Sequence, residues 1–196
     1  MSAARGRGVS AERCDFLSYG GGPFDALLFT RSFHHIWPLG EAVTHARELL
    51  APGGTLVLDE FAHDESDRFT AAWFFDLYSA LETAGAIAPD ERRHAHGHRH
   101  RHDHGEPPRD ALERWKWRHA HDPPLHGAKQ MMDALGTAFG LSRVERLPYL
   151  HRYFSDRVAD SERGAKLFAQ LRALETERVE QGVLVAVGLR IVARER

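Results

Sequence analysis

The sequence predicts an α/β layered domain with a mostly parallel sheet. Three observations point there. The stretch from Phe24 to Phe61 joins a short apolar run, an amphipathic helix and a second apolar run after Pro52-Gly53-Gly54, the pattern of a βαβ unit. Beyond it, strand-like runs keep alternating with helical periodicity. The composition, 42% apolar and 28% charged over 196 residues, is that of a globular chain long enough for one domain with a sizeable core.

In chain order, residues 1 to 7 are small and Arg-rich and are expected to be disordered, with the domain spanning 8 to 196. Gly6-Arg7-Gly8-Val9-Ser10-Ala11 matches a dinucleotide fingerprint in letters only, because no hydrophobic strand precedes it. Val9 to Leu17 reads as a short strand, and Tyr19 to Pro23 as a loop. Asp25 to Thr30 is a nearly continuous apolar run, as in a strand buried on both faces.

Pro38 suits a helix start, and Leu39, Ala42, Val43, Ala46, Leu49 and Leu50 form one apolar stripe. That helix is expected to stop at Ala51-Pro52-Gly53-Gly54, with a strand over Thr55 to Leu58. Further helices are predicted over Arg68 to Gly85, Asp110 to His119, Gly127 to Phe139 and Ser161 to Glu180. Gly140 is read as a helix-ending residue, and strands are expected over Ser142 to Leu147 and Val183 to Val192. Residues 90 to 109 form a His-rich insert expected to be disordered.

Several function classes drop out. A net charge of −2 gives no pull toward nucleic acid or an anionic membrane. No apolar run approaches the ~20 residues of a membrane span, and the N-terminus has no signal-peptide core. The single cysteine, Cys14, cannot form an internal disulfide, so a cytoplasmic setting is expected.

Phe24 to Ile36 (FDALLFTRSFHHI), Glu48 to Gly54 (ELLAPGG), Thr55 to Ala62 (TLVLDEFA), Val9 to Leu17 (VSAERCDFL) and the ending VAVGLRIVAR together resemble the C-terminal part of class I S-adenosylmethionine-dependent methyltransferases. The resemblance covers roughly residues 8 to 194, apart from 88 to 125. It implies a Rossmann-like sheet of strand order 3-2-1-4-5-7-6 with helices on both faces, incomplete here at its N-terminal side. It also implies S-adenosylmethionine as cofactor and a small molecule as methyl acceptor. The family's Gly-rich loop after the first strand and its acidic ribose ligand have no counterpart in this sequence. Asp25 to Thr30 is therefore expected to present an open edge, to be covered by Val9 to Phe16, by a second copy or by a partner chain. Alternatively, the reading frame is a piece of a longer protein.

Ligands of open α/β sheets bind outside the strand carboxyl ends. Those ends carry Arg31, Ser32, His34 and His35, then Asp59 and Glu60. The resemblance implies cofactor contacts for Asp15, Phe16, Arg31 and Ser32. A histidine, His34 or His35, is the candidate general base, the alternative being that it only bonds the loop backbone. Glu60, Trp115, Trp117 and Tyr149 are candidates for the acceptor side. Asp59 and Glu60 are expected either to form a polar rim or to bridge to Arg31, and Trp115 and Trp117 either to cap the acceptor or to pack. His94, His96, His98, His100, His102 and His104 alternate and are able to bind a divalent metal, although no defined metal site is predicted. Two further readings stand beside an enzyme: an inactive remnant that binds a partner at its open edge, and a His-rich metal-binding protein.

Overall fold

The computed structural model describes residues 6, 8, 10–89 and 106–195. The His-rich tract from 94 to 104 lies outside them. Four strands form one sheet: β1 (Phe24–Thr30), β2 (Leu50–Phe61), β3 (Phe139–Leu147) and β4 (Gly188–Glu195), in the order β1-β2-β4-β3. Among the described residues, five α-helices accompany them: α1 (Leu39–Leu49), α2 (Arg68–Thr83), α3 (Ala111–Arg118), α4 (Ala128–Ala138) and α5 (Glu162–Glu180). No described helix is long and apolar enough to cross a membrane.

The expected α/β architecture is present, in the order 4-5-7-6 of the larger sheet. The pairing is less parallel than expected. β1 and β2 are parallel, while β4 runs antiparallel to both β2 and β3.

Helix ends follow local chemistry. Asp67, Asp110 and Ser161 cap α2, α3 and α5 by accepting first-turn amides, which satisfies donors that a helix start leaves open. α1 stops at Leu49, and the chain enters β2 without a loop. The helix therefore ends within two residues of the expected stop, but Pro52-Gly53-Gly54 lies inside β2 rather than in a loop before it. There Gly53, at φ 78°, helps the strand through the irregularity that separates the Phe24–Leu50 pair from the Ala26–Thr55 pair. β3 begins at Phe139, so Gly140 is a strand residue and not a helix end. The last strand begins only at Gly188, because Val185 N–H goes to Thr70 Oγ1 and the Val187 carbonyl accepts Ala62 N–H.

Two further expectations fail. The described part of Val9 to Leu17 forms no strand: residues 10–15 have no regular structure, and Phe16–Ser18 is a 3₁₀ turn capped by the Asp15 carboxylate. Phe16 instead sets its ring edge-on to Phe29 and His45, burying apolar surface against β1 and α1 without pairing backbone. Nor is β1 buried on both faces. Phe29 is buried, but Leu28 is 64% exposed, because β1 forms the sheet edge.

One core lies between the sheet and the helices α1 and α4, around Phe29, Phe33, Leu56, Leu58, Met131 and Ile191. A second, aromatic core lies beyond the carboxyl end of β2, around Phe61, Phe74, Trp115, Tyr149, Phe154 and Leu171. The candidate site sits where the two meet.

Candidate functional site

β1 ends at Thr30, and the chain turns sharply at Arg31, whose φ of 54° is unusual for a side chain of this size. Arg31 N–H still donates to the Asp59 carbonyl at 3.0 Å, so the turn hangs directly on β2. The 3₁₀ turn Phe33–His35 follows. Glu60, at the end of β2, is 0% exposed and holds this turn from below. Its Oε1 accepts Ser32 N–H (2.9 Å) and Phe33 N–H (2.7 Å), and its Oε2 meets His34 Nδ1 at 2.5 Å.

A carboxylate can only accept, so His34 Nδ1 carries a proton towards Glu60, and in the neutral ring Nε2 holds the lone pair. His34 itself is buried, and its ring lies 4.2 Å from that of the exposed His35. Partial desolvation of a ring that still reaches solvent, then the neighbouring His34 and His121, pull the His35 pKa down to about 4. His35 is therefore neutral at physiological pH and a weak base there.

A strap from His119 to Gly127 crosses this end of the sheet. His126 N–H donates to the His34 carbonyl, and its Nε2–H donates to the Ile36 carbonyl. Trp37 lies against the His126 ring and donates Nε1–H to Pro124. The rings of His35 and His121 are 5.5 Å apart. The strap is anchored where Asp64 Oδ1 accepts Ala128 N–H, and a Cβ on Gly127 would overlap the Asp64 carboxylate. Gly127→Ala is expected to cost about 1–2 kcal/mol through the lost cap and the clash. Thermal unfolding checks it, and an unchanged melting temperature would refute the anchor.

Deeper in, His119 Nδ1–H donates to the Trp115 carbonyl, so its Nε2 accepts from the Tyr153 hydroxyl at 2.6 Å. Burial pushes the His119 pKa down to about 3, and the pKa values of His63 and His126 are lowered chiefly by burial as well. His63 Nε2 is buried without a hydrogen-bond partner.

Neutral buried imidazoles have a thermodynamic consequence. The unfolded chain takes up protons as pH falls below 6.5, whereas folded His119 resists until about pH 3, so stability should fall through that window. Urea titrations at stepped pH should show this loss. His119→Gln should lose less stability than the parent over the same interval, and an equal loss would remove His119 as a contributor.

The structure brings together Arg31, Ser32, His34 and His35, with Glu60 beneath. Glu60 is neither a rim nor a bridge to Arg31, because both its oxygens are spent on the turn. Asp59 pairs with Arg152 at 2.9 Å and Arg190 at 3.9 Å, again not with Arg31. Trp115 is 1% exposed in the aromatic core and donates Nε1–H to the His63 carbonyl; it packs rather than caps. Tyr149 is likewise buried, stacked on Phe61 at 4.5 Å, and burial raises its phenol pKa. Trp117 is half-buried on α3. Asp15 caps its own 3₁₀ turn, and Phe16 packs on Phe29 of β1 and His45 of α1.

The sequence reading missed Glu175. It is 0% exposed, and it accepts Tyr149, Leu150 and His151 N–H (2.6–2.8 Å) and His151 Nδ1–H (2.7 Å). It thus repeats at the turn Leu150–Phe154 what Glu60 does at Phe33–His35. An acidic residue on the apolar side of a helix was the available signal.

No family model matches the chain, and no curated protein matches it significantly. Solved structures do. An S-adenosylmethionine-dependent methyltransferase from Mesorhizobium loti aligns over 99% of this chain and 75% of its own, at 17% identity and a TM-score of 0.50. The fold is that of a class I methyltransferase. The N-methyltransferase NodS from Bradyrhizobium japonicum, in complex with S-adenosyl-L-homocysteine, aligns over 95% of this chain at 12% identity and a TM-score of 0.40. The cyclase SpnF aligns over 99% at 17% identity and a TM-score of 0.47. The chain spans only 54% of NodS and 61% of SpnF.

Within this methyltransferase fold, the described residues fit only part of a cofactor site. S-adenosylmethionine needs donors for its carboxylate and acceptors for its ribose hydroxyls. The resemblance places these beyond β1, where no described strand lies. Asp15 already uses Oδ1 on Leu17 N–H, and Phe16 is committed to Phe29 and His45. No reaction step is therefore assigned to the cofactor. Among the described residues, no group of three or more His, Cys, Asp or Glu is arranged to hold a metal ion.

Proposed function

We propose that this chain provides the acceptor side of an S-adenosylmethionine-dependent methyltransferase acting on a small molecule. One observation carries the reading: at the ligand-binding end of a methyltransferase fold, a buried carboxylate orients a histidine tautomer with a free Nε2. In this role His34 receives the acceptor's proton, Glu60 positions it, and His35 and Ser32 line the approach. Methyl transfer asks for little more, since in-line positioning of an activated methyl supplies most of the rate. Calorimetric titration with S-adenosylmethionine tests the reading. Weak saturable heat, displaced by S-adenosylhomocysteine, is expected, because the described residues supply only part of the cofactor's contacts; no heat at millimolar ligand overturns it.

A second reading is favoured by the exposed edge of β1, which has no described neighbour on its outer side. On this reading the fold serves as a binding module, and β1 adds its backbone to another chain.

A further inference from the structure

The two outer edges of the described sheet differ in kind. β3 has an irregularity between Leu141 and Arg143 and carries Arg143, Glu145 and Arg146, features that discourage pairing with another chain. β1 carries Ala26-Leu27-Leu28-Phe29-Thr30 with no charge and no proline, and Leu28 is 64% exposed. Charges sit only at its two ends, as the exposed Asp25 and Arg31. The β1–β2 ladder shows which backbone groups point outward. Arg31 N–H donates to Asp59 of β2, so the odd-numbered residues face β2, and Ala26, Leu28 and Thr30 turn their N–H and C=O groups to the open side.

We propose that the chain forms a two-fold symmetric dimer in which β1 pairs antiparallel with β1 of a second copy, with the axis at Leu28. The proposal rests on the edge-binding reading above and requires nothing of methyl transfer. In this register Leu28 faces Leu28, and Ala26 faces Thr30. Both of these pairs are of the hydrogen-bonded kind, so the outward backbone groups of Ala26, Leu28 and Thr30 are satisfied. The same register sets Asp25 of each copy level with Arg31 of the other, one residue past the strand end, where Arg31 N–H still bonds β2, and opposite charges facing each other at the ends of a strand pair stabilise it. Moving the axis to Leu27 would place Asp25 opposite Phe29, so the charges select the Leu28 axis. Leu28 also loses its exposure, because its partner on the same sheet face is another Leu28. The contact is isologous and uses the β1 edge of both copies. Assembly therefore stops at two, with only the protected β3 edges outward.

Analytical ultracentrifugation of the full chain, with amide exchange at Ala26, Leu28 and Thr30, tests this. A concentration-dependent dimer with those three amides protected is expected. Asp25→Arg or Arg31→Asp alone should weaken dimerisation about tenfold or more, and the double reversal should restore it. Leu28→Pro should abolish it while leaving the fold intact by circular dichroism, since Leu28 N–H takes no part in the β1–β2 ladder. A dimer indifferent to all these changes overturns the proposal by placing the interface elsewhere. A monomer with rapidly exchanging amides overturns the second copy as occupant but leaves the edge open to a different chain. A monomer with protected amides overturns both the dimer and the edge-binding reading, because the chain then covers its own edge.

Discussion

Glu175→Ala is expected to destabilise the protein by about 3–5 kcal/mol, a large share of the roughly 5–15 kcal/mol that holds a domain of this size together. The side chain is fully buried, and its two oxygens take four donors: the amides of Tyr149, Leu150 and His151 and the His151 ring. Truncation leaves these donors buried beside an aromatic core without their carboxylate, and each buried unpaired donor costs about 1–3 kcal/mol before relaxation. Glu175→Gln should be nearly as harmful, since its amide nitrogen would face donors. The damage should also reach the site, because the turn Leu150–Phe154 carries Tyr153, which donates to His119. Urea unfolding measures the effect; a loss below about 1 kcal/mol would show that the turn stands without its carboxylate.

Glu60→Ala should cost about 3–4 kcal/mol for the same reason, with three donors lost: Ser32 N–H, Phe33 N–H and His34 Nδ1–H. The expected signature is a double-mutant cycle. His34→Ala and Glu60→Ala should couple by more than 1 kcal/mol on the scale of about 0.5–3 kcal/mol seen for contacting residues, yet the double variant should stay well below the parent. The Ser32 and Phe33 amides remain orphaned whether or not the histidine is present. Additive losses would mean that the imidazole and the carboxylate act independently, which would remove the basis for His34 as a positioned base.

Much of this protein was legible in the sequence. Asp67, Asp110 and Ser161 precede apolar-periodic stretches and do start helices, because capping is a contact with a residue two or three positions away. The βαβ unit from Phe24 to Phe61 was legible for the same reason. What misled were residues with two local uses. Pro52-Gly53-Gly54 and Gly140 look like loop residues after a helix, but both lie within strands: the first sits in the irregularity between the Leu50–Phe24 and Thr55–Ala26 pairs, and Gly140 pairs with Arg194. Val9 to Leu17 looks like a strand, yet Phe16 buries more by lying on Phe29 and His45.

The candidate site divides the same way. Short-range order at the end of β1 placed Arg31, Ser32, His34 and His35 together, and periodicity alone determined that they follow a strand. The roles of Glu60, Trp115, Tyr149 and Glu175 were decided by tertiary structure, because burial and hydrogen-bond partners depend on segments that are distant in sequence. His34 lies 26 positions from the carboxylate that orients it, and Trp115 lies 52 from the carbonyl that accepts its proton. The sequence by itself determined the order and type of the main elements from β1 onward, which arise from neighbours a few residues apart. Only the packed sheet decided which acidic residues were buried, which aromatic rings became core and which strand was left at the edge, because each of these depends on what covers a residue rather than on what precedes it.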